Sequence, residues 1–217
     1  QCGRAKPSDL GRLRAALETP GDPQNSLPPV IHVAGTNGKG STIAFLLEIL
    51  RAEGHFVHAF TKPHLFALGE RFFTTGWLAD ETSIIEAAEY VTRITGTTIT
   101  QFDAQVAVAL KLFRETEADV VLLETGMGGR DDSTNVVPSA ATVITPIGLD
   151  HMDVLGGTLA EIAAHKAGIL KPATPALIAR QAPDAMAVIE ARAAEIGAPL
   201  FRAGVEWDAY ENSGRLI

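Results

Sequence analysis

The 217-residue chain has a single cysteine, and one thiol at Cys2 excludes an internal disulfide and fits a reducing cytosol. It has no block of basic residues. With 18 Lys and Arg against 26 Asp and Glu its net charge is −8, which argues against a nucleic-acid surface. No apolar run reaches the ~18–20 residues that span a bilayer, and the stretch around Pro7, Ser8 and Asp9 lacks the apolar centre of a signal peptide. Internal repeats and low-complexity tracts are missing too. The expectation is a soluble cytoplasmic protein, a monomer, with small molecules as its partners and neither nucleic acid nor membrane. What is present is ordinary globular composition, 46% hydrophobic and 20% charged, in a length sufficient for a substantial core.

The most informative residues are Gly35, Thr36, Asn37, Gly38, Lys39, Gly40, Ser41 and Thr42. An apolar run ending at Ala34 leads in, and an apolar-faced helical pattern leads out. Strand, glycine-rich turn and helix N-terminus together make a phosphate site, with backbone N–H groups and the helix dipole favouring an anion. Lys39 supplies a cation for the outer phosphates, and Ser41 or Thr42 a hydroxyl for a magnesium ion. The usual Walker spacing is missing: the residue five before Gly38 is Val33, and Lys39 is followed by Gly40. This is a shortened loop, GxxGKGS.

Along the chain, Leu10, Leu13 and Leu17 predict a short helix over Ser8 to Glu18, and Thr19 to Pro29 reads as a linker. Strands are expected at Val30–Ala34, Phe56–Phe60, Asp119–Glu124, Ala141–Thr145, Pro175–Ala179 and Pro199–Phe201. Helices are expected at Lys39–Glu53, Asp80–Ile94, Phe102–Glu115, from Thr158 to about Gly168, and at Asp184–Ile196. In the second of these helices Ile84, Ile85, Ala88 and Val91 make the apolar face. The alternation predicts an α/β fold with a mainly parallel sheet and helices on both faces. Residues 1–29 are read as helix and linker, and residues 30–217 as an ATP-binding domain. The chain stops inside strand-and-turn sequence (Trp207 to Leu216), so that domain is expected to be incomplete at its C-terminal end.

Ligands of open α/β sheets sit beyond the carboxyl ends of the strands. Besides the phosphate loop, two groups fall there: Glu124 with Gly126-Met127-Gly128-Gly129-Arg130, and Ile147-Gly148-Leu149-Asp150-His151. A carboxylate closing an apolar strand beside a phosphate loop suits a magnesium ligand or a water-positioner. The GMGG turn is a poor dinucleotide fingerprint, since no third glycine follows and Asp131-Asp132 would repel a pyrophosphate. Taken singly, His151 reads as a loop or core histidine, Lys166 as a snorkelling helix lysine, and Phe102 as core.

Read in order, VIHVAGTNGKGST, TKPHL with GER, TQFD, LLETGMGGRDDSTNV, TPIGLDH and AAHKAGILKP resemble the folylpolyglutamate synthase/dihydrofolate synthase family of Mur-type ATP-dependent amide ligases. The resemblance covers about Val30 to Pro172. It implies that ATP phosphorylates the carboxylate of dihydropteroate or a folate, and that the amine of glutamate displaces phosphate from the acyl phosphate. It implies ATP and Mg²⁺ as cofactors, with catalytic roles for Lys39, Glu124, His151 and Lys166. Ser41, Glu124 and His151 would hold metal, Lys166 matches a lysine that is carbamoylated, and Thr100, Phe102 and Asp132 match the positions that hold the pterin. The resemblance also implies a C-terminal Rossmann-like domain that is missing here, so these residues alone are expected to be inactive as a ligase. The competing readings are a Mur-type ligase acting on another carboxylate and a truncated, non-catalytic ATP- or pterin-binding relative.

One departure from the family pattern is chemically large. The family usually reads TSPHL, with the serine hydroxyl facing magnesium, and this chain has Lys62. A cation at ~4 Å from a dication is opposed by roughly 8 kcal/mol at an effective dielectric of ~20. Either the lysine stem swings its charge away, towards an ATP phosphate for instance, or the metal site is altered. The expectation is weakened magnesium binding.

Overall fold

The computed structural model describes residues 10–18, 23–96, 98–209, 211–212 and 215–216. Cys2, the expected helix start at Ser8 and the first residues of the expected linker lie outside them.

The strands are β1 (Val30–Ala34), β2 (Val57–Phe60), β3 (Phe72–Thr74), β4 (Trp77–Leu78), β5 (Val120–Glu124), β6 (Ala141–Ile144), β7 (Ala176–Ile178) and β8 (Leu200–Arg202). They form one eight-stranded sheet in the order β4-β3-β2-β5-β1-β6-β7-β8. From β2 through β5, β1, β6 and β7 to β8 all neighbours run parallel, and at the edge β3 pairs antiparallel with both β2 and β4. A short antiparallel pair, β9 (Glu211–Asn212) and β10 (Arg215–Leu216), stands apart within the stretch read as strand and turn. The edge hairpin has no counterpart among the expected strands. Its signal was the Thr75-Gly76 turn, where both residues have positive φ (54° and 84°), the twist that tight hairpins require.

The helices are α1 (Leu10–Glu18), α2 (Lys39–Ala52), α3 (Glu81–Thr95), α4 (Gln101–Glu115), α5 (Met152–Leu155), α6 (Leu159–Lys166) and α7 (Pro183–Ile196). β5 lies inside the sheet, which is why it is a continuous apolar run closed by a polar residue. Val121 and Leu123 pack into the layer with α1, α3 and α4, while Leu122 packs with Ile43 and Leu47 of α2. Ile144, Ala176 and Ile178 pack with α6 and α7. Each fully buried side chain of this kind contributes about 1.5–3 kcal/mol of transfer free energy.

Two expectations shift. Leu13 and Leu17 of α1 are buried in the same core as β5, and Pro23–Asn25, inside the expected linker, form a 3-10 turn with Pro23 and Gln24 buried. In α3 the buried residues are Ala87, Val91 and Thr95, with Ile85 half exposed, because α3 rotates its small Ala87 towards α4.

Candidate active site

β1 sits between β5 and β6, so the loops leaving all three strands meet at one end of the sheet. Gly35 follows β1 with φ 148°, and a Cβ there would stand 1.7 Å from Thr145 Oγ1, so only glycine fits. The N–H groups of Thr36 and Asn37 both donate to Pro146 O (3.1 and 3.2 Å), and the Thr36 hydroxyl donates to Gly148 O at 3.1 Å. The phosphate loop is thus tied to the loop after β6. That loop is itself held by Gln181, which accepts from Ile147 N–H and donates to Thr145 O.

Gly38, with φ 86°, turns the chain into α2. The helices α3, α4 and α6 are capped by the side chains of Asp80, Thr100 and Thr158, whereas α2 has no side-chain cap and no acid in its first turn. Its first N–H groups have no acceptor within the helix, and the dipole adds about half a positive charge there. Lys39 folds back over the loop, its Nζ donating to Gly35 O (3.1 Å) and Thr36 O (3.2 Å). Thr42 spends its hydroxyl on Gly38 O at 2.8 Å, which leaves exposed Ser41 as the available hydroxyl of the pair.

Glu124 ends β5 almost fully buried, and its Oε2 accepts the Lys62 main-chain N–H at 3.0 Å. A Cβ on Gly40 would stand 3.8 Å from the same oxygen, so the carboxylate lies against the first turn of α2. Burial raises its pKa, opposed by the Lys62 N–H and the charges of Lys39, Lys62 and Arg71. A desolvated carboxylate against the first turn of a phosphate-cradling helix suits a magnesium ion, which takes few protein oxygens and keeps phosphate and water as its other ligands. His151 lies beyond β6, three residues after Gly148, whose carbonyl the phosphate loop holds. It is half exposed with φ 49°, its ring Nε2 lies 3.6 Å from Asp150 Oδ2, and among the described residues no three His, Cys, Asp or Glu side chains form a metal cluster.

Lys166 does not snorkel. It is 4% exposed and donates to Gly35 O at 2.7 Å. Burial, then the charge of Lys39, lowers its pKa to about 8. At pH 7 an amine of that basicity is neutral in about one molecule in ten, far more often than an ordinary lysine, and the neutral form is a nucleophile for CO₂.

Next to the Lys62 and Gly126 segments a cavity of about 570 Å³ is lined by Lys62, Phe102, Gly126, Met127, Asp132 and Leu155, among others. Thr100 also lines it, but its hydroxyl is engaged in a capping box with Asp103 that starts α4 and so presents Phe102. A Cβ on Gly126 would stand 2.4 Å from the Phe102 ring and 2.9 Å from Asp132 Oδ2, so a glycine lets ring and carboxylate meet across the backbone. Asp132 is buried, which raises its pKa. It accepts from Met127 N–H (2.7 Å), Thr134 N–H (3.0 Å) and the Thr134 hydroxyl (2.5 Å).

Lys62 follows the first of the two courses open to it, though not towards a phosphate. Its amino group donates to Gly126 O and lies 5.9 Å from the centroid of the Phe102 ring, inside the cavity. Burial lowers its pKa, and the carboxylate that most opposes this is Asp132, ahead of Glu124. The charge of Lys62 is thus drawn towards Gly126 O, yet it still acts on Glu124, where it opposes the rise in pKa that burial causes.

Three contributors escaped sequence reading. His32, on the central strand, lies 2.8 Å through Nε2 from the Thr134 hydroxyl that serves Asp132. Arg71 donates to His64 Nδ1 (3.0 Å) and Gln105 Oε1 (2.7 Å), joining the loop after β2 to α4. Glu70 gathers the N–H groups of Leu65, Phe66 and Ala67. None of these has a local signal, because each acts through a partner distant in sequence or on backbone amides.

An uncapped helix N-terminus behind a central strand, a lysine folded over its loop and a buried carboxylate on the next strand define a nucleoside-triphosphate-binding α/β domain. More specifically, the chain belongs to the Mur ligase family, its residues 33–213 matching the Mur ligase middle domain. It is 40% identical over 198 residues to the dihydrofolate synthase/folylpolyglutamate synthase of Bacillus subtilis, covering 88% of this chain and 46% of that protein. Its fold matches that of E. coli FolC in complex with DHPP and ADP with a TM-score of 0.87 at 35% identity, over 95% of this chain and 49% of that one. It also matches a bifunctional folylpolyglutamate synthase/dihydrofolate synthase with Mn, AMPPNP and L-glutamate bound, with a TM-score of 0.88 at 34% identity, over 99% of this chain and 54% of that one. The chain spans about half the length of these relatives.

Proposed function

We propose that this chain is the nucleotide- and pterin-binding part of an ATP-dependent ligase that joins L-glutamate to dihydropteroate, to folates, or to both. The observation that carries this reading is that the Glu124 carboxylate lies against the first turn of α2 and accepts the main-chain N–H of Lys62, a residue that lines the Phe102–Asp132 cavity. Nucleotide, DHPP and glutamate are bound by the solved relatives, which supports the same ligand set here.

In this reading the loop N–H groups at the start of α2 and Lys39 hold the outer phosphates of ATP and offset the charge that develops as the terminal phosphoryl moves. Ser41 and Glu124 would hold a magnesium ion, which when bound neutralises phosphate charge during transfer, and His151 would support a second one. Asp132 accepts from one N–H of the pterin while Phe102 presents a ring face to it. The substrate carboxylate takes the phosphoryl group, giving acyl phosphate and ADP. The amine of glutamate then attacks the acyl carbon, loses a proton and expels phosphate. Lys166, as a carbamate, would turn a cation into an anion near the metal. The reading carries with it a cytoplasmic monomer acting on small molecules.

The test is ADP release by the full-length protein given ATP, magnesium and glutamate, with dihydropteroate and tetrahydrofolate offered separately. Release that needs glutamate and one of the two pterins supports the reading, and release indifferent to both overturns it. The 217 residues alone are expected to bind both ligands without turnover.

A further inference from the structure

The cavity beside Glu124 contains a donor that the proposed function does not use. Phe102, Met127, Val154 and Leu155 supply apolar wall, and among its polar lining residues Asp132 and Lys62 stand beside Phe102 and Gly126. Asp132 receives three hydrogen bonds from Met127 and Thr134 and is also favoured by the Gly126 N–H, so of its roughly four lone-pair sites at most about one is left for a ligand N–H. The Lys62 amino group uses one hydrogen on Gly126 O and keeps the others. It lies 5.9 Å from the Phe102 ring centroid and is tethered through its own main-chain N–H to Glu124. A flat ligand resting on Phe102 therefore meets an acceptor at one edge and a donor at another.

We propose that Lys62 is a specificity-determining residue of this cavity, donating a hydrogen bond to an acceptor atom on the edge of the bound ring while Asp132 accepts from one N–H of the ring. The inference rests on the pterin reading of the cavity and adds to it the class of ring preferred: one bearing an oxo group, in preference to the same ring bearing an amino group at that edge. A donor placed against Lys62 would leave two sets of N–H groups facing each other in a partly desolvated site, and an unmatched buried donor is rejected more strongly than a lost contact alone.

The experiment is a fluorescence titration of the protein with pteroate and with 4-amino-4-deoxypteroate, alongside a separate titration with ADP in magnesium, for wild type, Lys62→Met and Lys62→Arg. Wild type should prefer pteroate. Lys62→Met should bind pteroate roughly 10- to 100-fold more weakly and lose the preference, the change expected when a charged donor is removed. Lys62→Arg should retain most of both, and ADP affinity, which also reports an intact fold, should be unchanged in all three. An undiminished pteroate affinity and preference in Lys62→Met would overturn the proposal, as would a loss confined to ADP. Normal ADP binding with no pterin binding by wild type would instead overturn the pterin reading on which it rests.

Discussion

The Lys166 amino group donates to the carbonyl oxygen of Gly35 at 2.7 Å, joining residues 131 positions apart. Lys39 donates to the same oxygen at 3.1 Å. Two lysines thus converge on the carbonyl that opens the phosphate loop, one from the helix the loop begins and one from α6. Their mutual repulsion is part of why Lys166 titrates near 8, and it gives the site a poised amine.

A direction in pH follows. The folded pKa of Lys166 lies below its unfolded value of 10.5, so between about 8 and 10.5 the unfolded chain binds more protons than the folded one. This group's contribution therefore makes stability rise with pH across that window. Urea midpoints from pH 7.5 to 10 should climb more steeply for wild type than for Lys166→Met. In ¹³C-bicarbonate the wild type should also show a carbamate resonance that Lys166→Arg lacks.

His32 carries the opposite end of the pH scale. It is fully buried, its Nδ1 has no hydrogen-bond partner, and burial lowers its pKa to about 3. Since the Thr134 hydroxyl donates to Asp132, His32 must donate to it through Nε2–H. Stability supplied by neutral His32 is present above about 6.5 and is lost as pH falls towards 3. The acid limb of a thermal-stability profile should flatten over that range in His32→Gln.

Gly126 lines the ring cavity between Phe102 and Asp132. In Gly126→Ala the new methyl would press on the Phe102 ring and on Asp132 Oδ2. Pteroate affinity should fall at least tenfold, comparable to the overpacking costs of about 1–3 kcal/mol seen in tight cores, while ADP affinity stays close to wild type. Parallel titrations of the two ligands check this.

The adjacent hydroxyls of α2 should separate by function. Thr42 is spent on Gly38 O and Ser41 is not. Ser41→Ala should weaken nucleotide binding only when magnesium is present. Thr42→Ala should lower the melting temperature by a few degrees, the effect of about 1 kcal/mol, and leave the magnesium dependence intact. Calorimetric titrations with and without EDTA, beside a melting curve, distinguish the two.

Most of the fold was legible because its signals are local. The run Asp119–Glu124 reads as a buried parallel strand wherever it is placed, and Thr158 with Glu161 forms the capping box its spacing announces. The phosphate loop was legible for the same reason. Less accessible was anything that depends on which way a long side chain turns. Lys62 could be placed after β2 but not between Gly126 and Phe102, since those partners come from β5's loop and α4. His32 looked like any polar residue in an apolar strand, because its partner Thr134 lies 102 residues away. The β3–β4 hairpin was missed because two- and three-residue strands carry too little pattern to register.

Glu124 lies against the nucleotide subsite at the start of α2 and is joined through the Lys62 N–H to a separate ring subsite. The most direct measurement is a calorimetric titration of pteroate into protein saturated with Mg²⁺–AMPPNP, repeated with Glu124→Gln. Pteroate should bind the loaded wild type one to one, and Glu124→Gln should lose the magnesium dependence of AMPPNP affinity while still binding pteroate. Competition between pteroate and AMPPNP, or a Glu124→Gln protein whose nucleotide affinity responds to magnesium as wild type does, would contradict this arrangement.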